Sequence, residues 1–413
     1  MKHTRAAKQN ELHNAPHTAP QNAKSLLGLR ALIGGGRNLE LTALGFMGLM
    51  ALMGVGSEEV KGQSANVYKM VCQPKSFESE DWFSVHADGT FFFQNDEYFT
   101  PHVEGYTLVG YMVRPSVSYD VVPDELDLTA GFQALRYAGL DKMHYVRPVV
   151  AVRWTPLPYL ALQMGTLRGP DSHWHHDALQ DCEEQITSKP EFGAQVDLET
   201  KAWDATVWLN WRQFIFLGDT IPEKFTAGIR AKFHPGFDVE SPLGFSMPIT
   251  LTFDHIGGQI SNYPDTMQSL ANVGLSPTLH YMRDGRFVKM LSLSVHTMLF
   301  HTMTGSGVRP FDDGWAVSPE VRMKAKYLNA EVGYWHSQNF FALHGSPMYW
   351  STSNYDATVY EKERDLITMG AAFVKNISYV GAFELKARGF YDIGLGQFDY
   401  SYGMSLVLSL HHD

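Results

Sequence analysis

The sequence predicts an all-β chain: a closed antiparallel transmembrane β-barrel of about sixteen strands, within a range of about fourteen to eighteen, behind an N-terminal signal segment. Three observations carry the prediction. Apolar and polar residues alternate with a period of two from residue 86 to the end. The faces opposite the apolar ones carry charges that must meet water. The one long apolar run is too short to cross a bilayer as a helix.

The last segment alternates most clearly. Phe398, Tyr400, Tyr402, Met404, Leu406, Leu408 and Leu410 share one face, and Asp399, Ser401, Gly403, Ser405 and Ser409 the other. Before it, Tyr379, Gly381, Phe383, Leu385 and Ala387 oppose Glu384, Lys386 and Arg388. Val321, Met323, Ala325 and Tyr327 oppose Arg322, Lys324 and Lys326, and Leu291, Leu293 and Val295 oppose Ser292, Ser294 and His296. Ile249, Leu251 and Phe253 face away from Thr250, Thr252 and Asp254; Phe225, Ala227 and Ile229 face away from Arg230 and Lys232. The scheme extends back through Val207 and Leu209 against Arg212, Val196 and Leu198 against Asp197 and Glu199, and Tyr111 and Val113 against Arg114. Strands are expected to begin near residues 87, 106, 126, 146, 159, 191, 203, 224, 246, 270, 288, 315, 328, 364, 378 and 398.

A soluble β-sandwich also alternates. Rows such as Arg322, Lys324 and Lys326 need water, however, while the opposite face stays apolar in every strand. A ring with lipid outside and a wet lumen satisfies both, and it leaves no unpaired edge in lipid. Short turns at 123–125, 156–158, 200–202, 283–286, 328–329 and 376–377 alternate with longer loops at 168–190, 216–223, 256–269, 303–314 and 337–362. The connection 234–244 is long for the short-turn side. Trp154, Tyr159, Trp203, Trp211, Tyr327 and Tyr379 near strand ends fit interfacial girdles. Pro115, Pro148, Pro248 and Pro319 are expected at strand ends or bulges, since each removes a ladder bond.

Leu41 to Val55 is the apolar run; Arg30 and Arg37 precede it and the small residues Ser64 and Ala65 follow. That is the layout of a cleavable secretory signal. The domain expectation is therefore 1–65 as extension and signal peptide, 66–85 as a periplasmic lead-in, and 86–413 as barrel. A net charge of −11 argues against nucleic-acid binding. Cys72 and Cys182 are too few for a disulfide framework, and the sequence leaves their pairing open.

The chain resembles outer-membrane β-barrel proteins of the Bacteroidetes type, loosely the porin group. The likeness runs from Phe91–Phe99 (FFFQNDEYF) through Trp208–Trp211, Glu223, Phe225 and Gly228, His255–Ile260 and Gly333–Trp335 to the terminal strand. It implies the outer membrane of a Gram-negative cell. It also implies contact with membrane lipid and lipopolysaccharide, and assembly by the barrel machinery. Such chains commonly end on an aromatic residue, whereas this one ends His411-His412-Asp413.

The functional expectation is a channel for diffusive passage of small hydrophilic solutes, with no enzymatic step and no cofactor or metal. Its lining would be Arg114, Arg153, Arg212, Arg230, Lys232, Asp254, Arg322, Lys324, Lys326, Glu384, Lys386 and Arg388, joined by Asp120, Asp127, Asp197, Glu199 and Glu320. The basic excess suggests a preference for anions, although paired wall charges without selectivity fit as well. The alternatives are a plugged barrel for adhesion, export or assembly, and a lipid-modifying hydrolase. Two constellations bear on these alternatives. His173-Trp174-His175-His176 with Asp177, Asp181, Cys182, Glu183 and Glu184 has metal-ligand chemistry without a recognisable spacing. His336-Ser337 with Asn339 is similar to outer-membrane phospholipase sites, but neighbours on one strand point to opposite faces. Oligomeric state is left open.

Overall fold

The computed structural model describes residues 82–173, 175–233, 242–282, 287–378 and 381–412. The expected signal peptide and most of the lead-in lie outside the described residues, as do Cys72, Trp174, Tyr379 and the turn 234–241. The first strands are β1 (Phe83–Glu97), β2 (Thr107–Val122), β3 (Leu126–Tyr137), β4 (Tyr145–Leu157), β5 (Leu160–Thr166) and β6 (Phe192–Glu199). Then come β7 (Trp203–Gln213), β8 (Glu223–Phe233), β9 (Leu243–Gly257), β10 (Gln268–Leu275), β11 (Thr278–Met282) and β12 (Val288–Thr304). The last are β13 (Asp313–Ala325), β14 (Leu328–Gln338), β15 (Glu363–Ser378), β16 (Gly381–Asp392) and β17 (Gln397–His412). Each observed start lies within four residues of its expected one, the start of β11 excepted.

All pairings are antiparallel. β1 zips to β17 from Val85 opposite His412 to Glu97 opposite Tyr400, which closes the ring. β10 and β11 each pair with both β9 and β12, so they are two pieces of one stave broken at Pro277. The barrel therefore has sixteen staves. Closure is what lipid demands, because an open edge there has no water to pair with.

The alternation sorts the faces as expected. On β12, Leu291, Leu293, Val295 and Leu299 are exposed outward, while Ser292, Ser294 and His296 are buried inward. Outward apolar side chains continue around the ring, with Trp154, Tyr159, Trp203 and Trp211 among them. This belt is the lipid-facing wall of an outer-membrane barrel. The prolines depart from expectation, because all four lie within strands. The ladder yields locally instead: β2–β3 pairing lapses between Val113 and Ser116, and β13–β14 pairing between Val317 and Glu320.

The lumen is not wet throughout. At the long-loop end, residues 98–106, 167–191 and 339–362 fold inward. Val103, Leu179, Phe340 and Met348 of these loops form one buried apolar cluster with Leu270, Phe300, Trp335, Leu366 and Phe390 of the wall. Buried Arg364 ties loop to wall: its guanidinium donates to the carbonyls of Met348 and Trp350 at 2.8 Å and to Asp392 at 2.8 Å. Among the described residues, helix is confined to single turns, one of them α1 (Glu184–Thr187).

Candidate functional site

Loop 167–191 carries the densest set of ionisable groups, and its placement begins with backbone contacts. Gly345 lets the two large loops touch, since a Cβ there would sit 1.9 Å from the Ala178 carbonyl oxygen. The Asp181 amide donates to the His344 carbonyl at 2.6 Å and the Ser346 amide to that of Asp177 at 2.9 Å. His173 stacks on Trp208 of β7 with centroids 3.9 Å apart. Gly228 makes room for that indole; a Cβ there would lie 2.1 Å from the ring.

Side chains then lock the loop in place. Arg388 of β16 ion-pairs with Asp177 and reaches Cys182 Sγ at 3.3 Å. Cys182 is a buried free thiol. Burial works against the Asp177 charge, but Arg388 holds its carboxyl below the usual range. His344 is gripped from both sides, donating to Glu184 at 3.2 Å and to Asp254 of β9 at 2.9 Å. Burial favours the neutral ring, yet Asp254 and Glu184 raise the His344 pKa to about 10. Arg212 lies against the same ring at 3.2 Å.

The chemically poised part of the loop is Glu183, at the long-loop rim beside β1 and β2. The Tyr106 hydroxyl donates to both Glu183 oxygens at 2.7 Å. The Gln94 amide donates to Glu183 at 3.2 Å and to Asp96 at 3.1 Å, so one side chain bridges two carboxylates. Burial raises the Glu183 carboxyl to about 7, with the Tyr106 bond opposing it and Asp96 adding to it. Burial and Asp177 push Asp181 well above the carboxylate range. A carboxylate titrating near neutrality beside an exposed phenol suits a general base. On the outer face of the same strands, Thr107 donates to Asn95, and Asn95 donates to Glu97 at 2.7 Å.

A second arrangement sits on the outer wall. β9–β10 pairing sets His255 opposite Ser269, with Nδ1 and Oγ 3.0 Å apart. Inward neighbours Asp254 and Leu270 place this pair on the outward side of the sheet, where Ser269 is buried and His255 half-buried. Nearby strands carry His301 with Asp313 at 2.6 Å, and His336 with Asp365 at 2.8 Å. His336 thus points outward, whereas Ser337 is fully buried inside, and the two do not meet.

The residues expected to line a pore are mostly engaged in pairs. Arg153 bonds Asp197 at 3.2 Å, Arg230 bonds Asp204 at 2.9 Å, and Arg322 contacts Glu320 and Glu331. Glu384 accepts from Ser405 at 3.3 Å. Arg114, Lys232, Lys324 and Lys386 are half-buried on the inward face. Lys326 lies beyond the end of β13, its ammonium 5.1 Å from the Tyr327 ring. Sequence reasoning passed over Gln94, Asp96 and Tyr106. The signal was there in Gln94 and Asp96, two polar residues sharing a face with Phe92.

A family model described as "Lipid A 3'-O-deacylase-type" matches residues 75–412. The chain belongs to that family. The expectation of a barrel without enzymatic activity is thereby corrected: the sequence reading required a nucleophile–base pair legible in the strand order, and β-pairing hides such pairs. The resemblance to outer-membrane barrels holds at the level of barrel and membrane, and its porin part is not carried by the match. No curated protein matches the chain. Solved structures similar to it include OmpT of Vibrio cholerae, expressed in the outer membrane (TM-score 0.48, 11% identity, 80% of this chain and 99% of that one). OprD of Pseudomonas aeruginosa is similar at TM-score 0.46 and 8% identity, over 81% of this chain and 96% of that one. OccAB4 of Acinetobacter baumannii is similar at 0.45 and 9%, over 80% and 99%.

Proposed function

We propose that the barrel hydrolyses an acyl ester of lipid A in the outer leaflet, with Glu183 as general base. The family match across 75–412 is the observation that carries this reading. The geometry supports it, because the Glu183 carboxyl, raised to about 7, lies beside the exposed Tyr106 phenol at the long-loop end. Glu183 takes a proton from water as the water oxygen attacks the ester carbonyl. The tetrahedral intermediate then expels the sugar oxygen, which recovers the proton from Glu183. Tyr106 and Gln94 hold the carboxylate in place. The inward charges at the short-turn half serve, in this proposal, as a solvated vestibule rather than a selectivity filter.

Glu183→Gln is expected to lower turnover of purified lipid A by about 10²-fold or more, read as loss of one acyl chain by mass spectrometry. The wild-type rate should rise as pH passes about 7, since the base must be ionised. The His255–Ser269 contact favours a second reading, in which Ser269 is the nucleophile and His255 its base. Ser269→Ala separates the two: a full rate supports Glu183, and an abolished rate with Glu183→Gln still active transfers the chemistry to the outer-wall pair. If neither variant slows the reaction, both readings fall.

A further inference from the structure

We infer that His176, His296 and Glu320 form a binding site for a divalent transition metal of the zinc class, which pins loop 167–191 to the barrel wall. One ligand atom from each of the three lies within 4.8 Å of the others. They come from three separate segments: His176 from the loop, His296 from β12 and Glu320 from β13. β12–β13 pairing sets His296 opposite Ser318, one step diagonal from Glu320 on the same inward face.

His296 is the second, independent indication. It is more than nine-tenths buried, and its Nε2 has no hydrogen-bond partner. Its other nitrogen is 2.8 Å from Ser276 Oγ. A histidine fixed through Nδ1 while Nε2 faces a carboxylate and a second imidazole has the outer-shell support of a metal ligand. Nε2 stands 3.9 Å from Glu320 Oε1, too far for a hydrogen bond, so the imidazole nitrogen faces the carboxylate without bonding it.

Two imidazoles and one carboxylate suit zinc, leaving a fourth position for water. Bonds of ~2.0–2.1 Å imply that the ligand atoms draw somewhat closer together than they stand here. The His176 ring, 4.7 Å from that of His296, has to trade the bond it accepts from the Ala178 amide for the metal. Arg322 engages Glu320 through Oε1, which leaves Oε2 as the ligand. Trp335 and Tyr349 pack beside His176 and close the site off with aromatic surface. The neighbouring Asp177, Asp181 and Cys182 have similar spacing, but Arg388 already supplies a fixed cation there.

The test is titration of zinc chloride into the full chain, refolded in detergent and stripped with chelator, followed by calorimetry at micromolar protein. One saturable equivalent is expected. His296→Ala and Glu320→Gln should each weaken it at least tenfold, while Cys182→Ser and Glu183→Gln leave it unchanged. Retention with Glu183→Gln makes the result independent of hydrolysis. No saturable heat overturns the proposal, as does an unaltered isotherm in His296→Ala. So does binding that vanishes in a His411→Ala, His412→Ala double variant. Folding of each variant is checked by its heat-dependent gel mobility. Should a wall variant not fold, His176→Ala on the loop takes its place. Cobalt substitution in the wild-type chain adds a spectroscopic readout: absence of four-coordinate visible absorption also overturns the site.

Discussion

The two halves of the lumen are built from the same strands yet obey different physics. Toward the short turns, β12 and β13 present Ser292, Ser294, Arg322 and Lys324 inward. Toward the long loops, β12 turns to Met298 and Phe300 on that same face, and β14 to Trp335. One half is a wall of small polar and paired charged groups. The other holds an apolar core, with the wall on one side and inserted loops on the other, beside the ion pairs of Arg388 and His344. Alternation decides which face a residue occupies. What meets that face decides whether the interior is solvent or protein.

Removing the plug gives the largest expected effect. Deleting residues 340–350 should convert a barrel with negligible conductance in a planar bilayer into one with steady open current. Equal currents before and after would mean that the aromatic core does not obstruct the lumen. Next comes Trp335→Ala, which removes a fully buried indole and should cost about 3–5 kcal/mol in urea unfolding. Ser294→Ala, four residues from Met298 in the other half, loses a hydrogen bond to Thr278 and should cost about 1 kcal/mol. Comparable costs would erase the distinction between the halves. Asp392→Ala strands the buried Arg364 guanidinium and is expected to cost about 3–5 kcal/mol, with loop 339–362 becoming susceptible to protease.

A smaller, pH-dependent effect sharpens the same contrast. His344 is raised in the folded state, so its stabilisation is fully present below the ordinary histidine value of about 6.5 and is lost as pH rises through about 10. Amide exchange in loops 167–191 and 339–362 should therefore quicken between those limits. His344→Gln should flatten the dependence. A small effect, about 1 kcal/mol or less, is also expected at Lys324→Glu, because that half-buried ammonium faces the polar half.

Much of this was legible beforehand. The last strand alone, with Tyr402, Met404 and Leu410 outward and Ser401, Ser405 and Ser409 inward, declares a two-faced wall. The dry half left a fainter trace: after His296, the polar face of β12 runs on into Met298 and Phe300, where a wet lumen would keep it polar. The site was harder. Glu183 stood out in an acidic loop, but its partners Gln94 and Tyr106 lie about eighty residues earlier and meet it only because that loop folds back on β1 and β2. His255 and Ser269 are fourteen residues apart and become opposite neighbours only through strand register.

By itself, then, the order of residues settled the period of two, a count of about sixteen staves, the outward belt and the alternation of long and short connections. Each of these is a local property, written in nearest neighbours and turns. The tertiary structure alone decided that three loops turn inward, that Arg388 and His344 fasten them, and that carboxylates separated along the chain share a bridging amide. Those outcomes depend on which inward surfaces come to face each other across a closed ring, and closure joins positions whose distance along the chain carries no information about their distance in space.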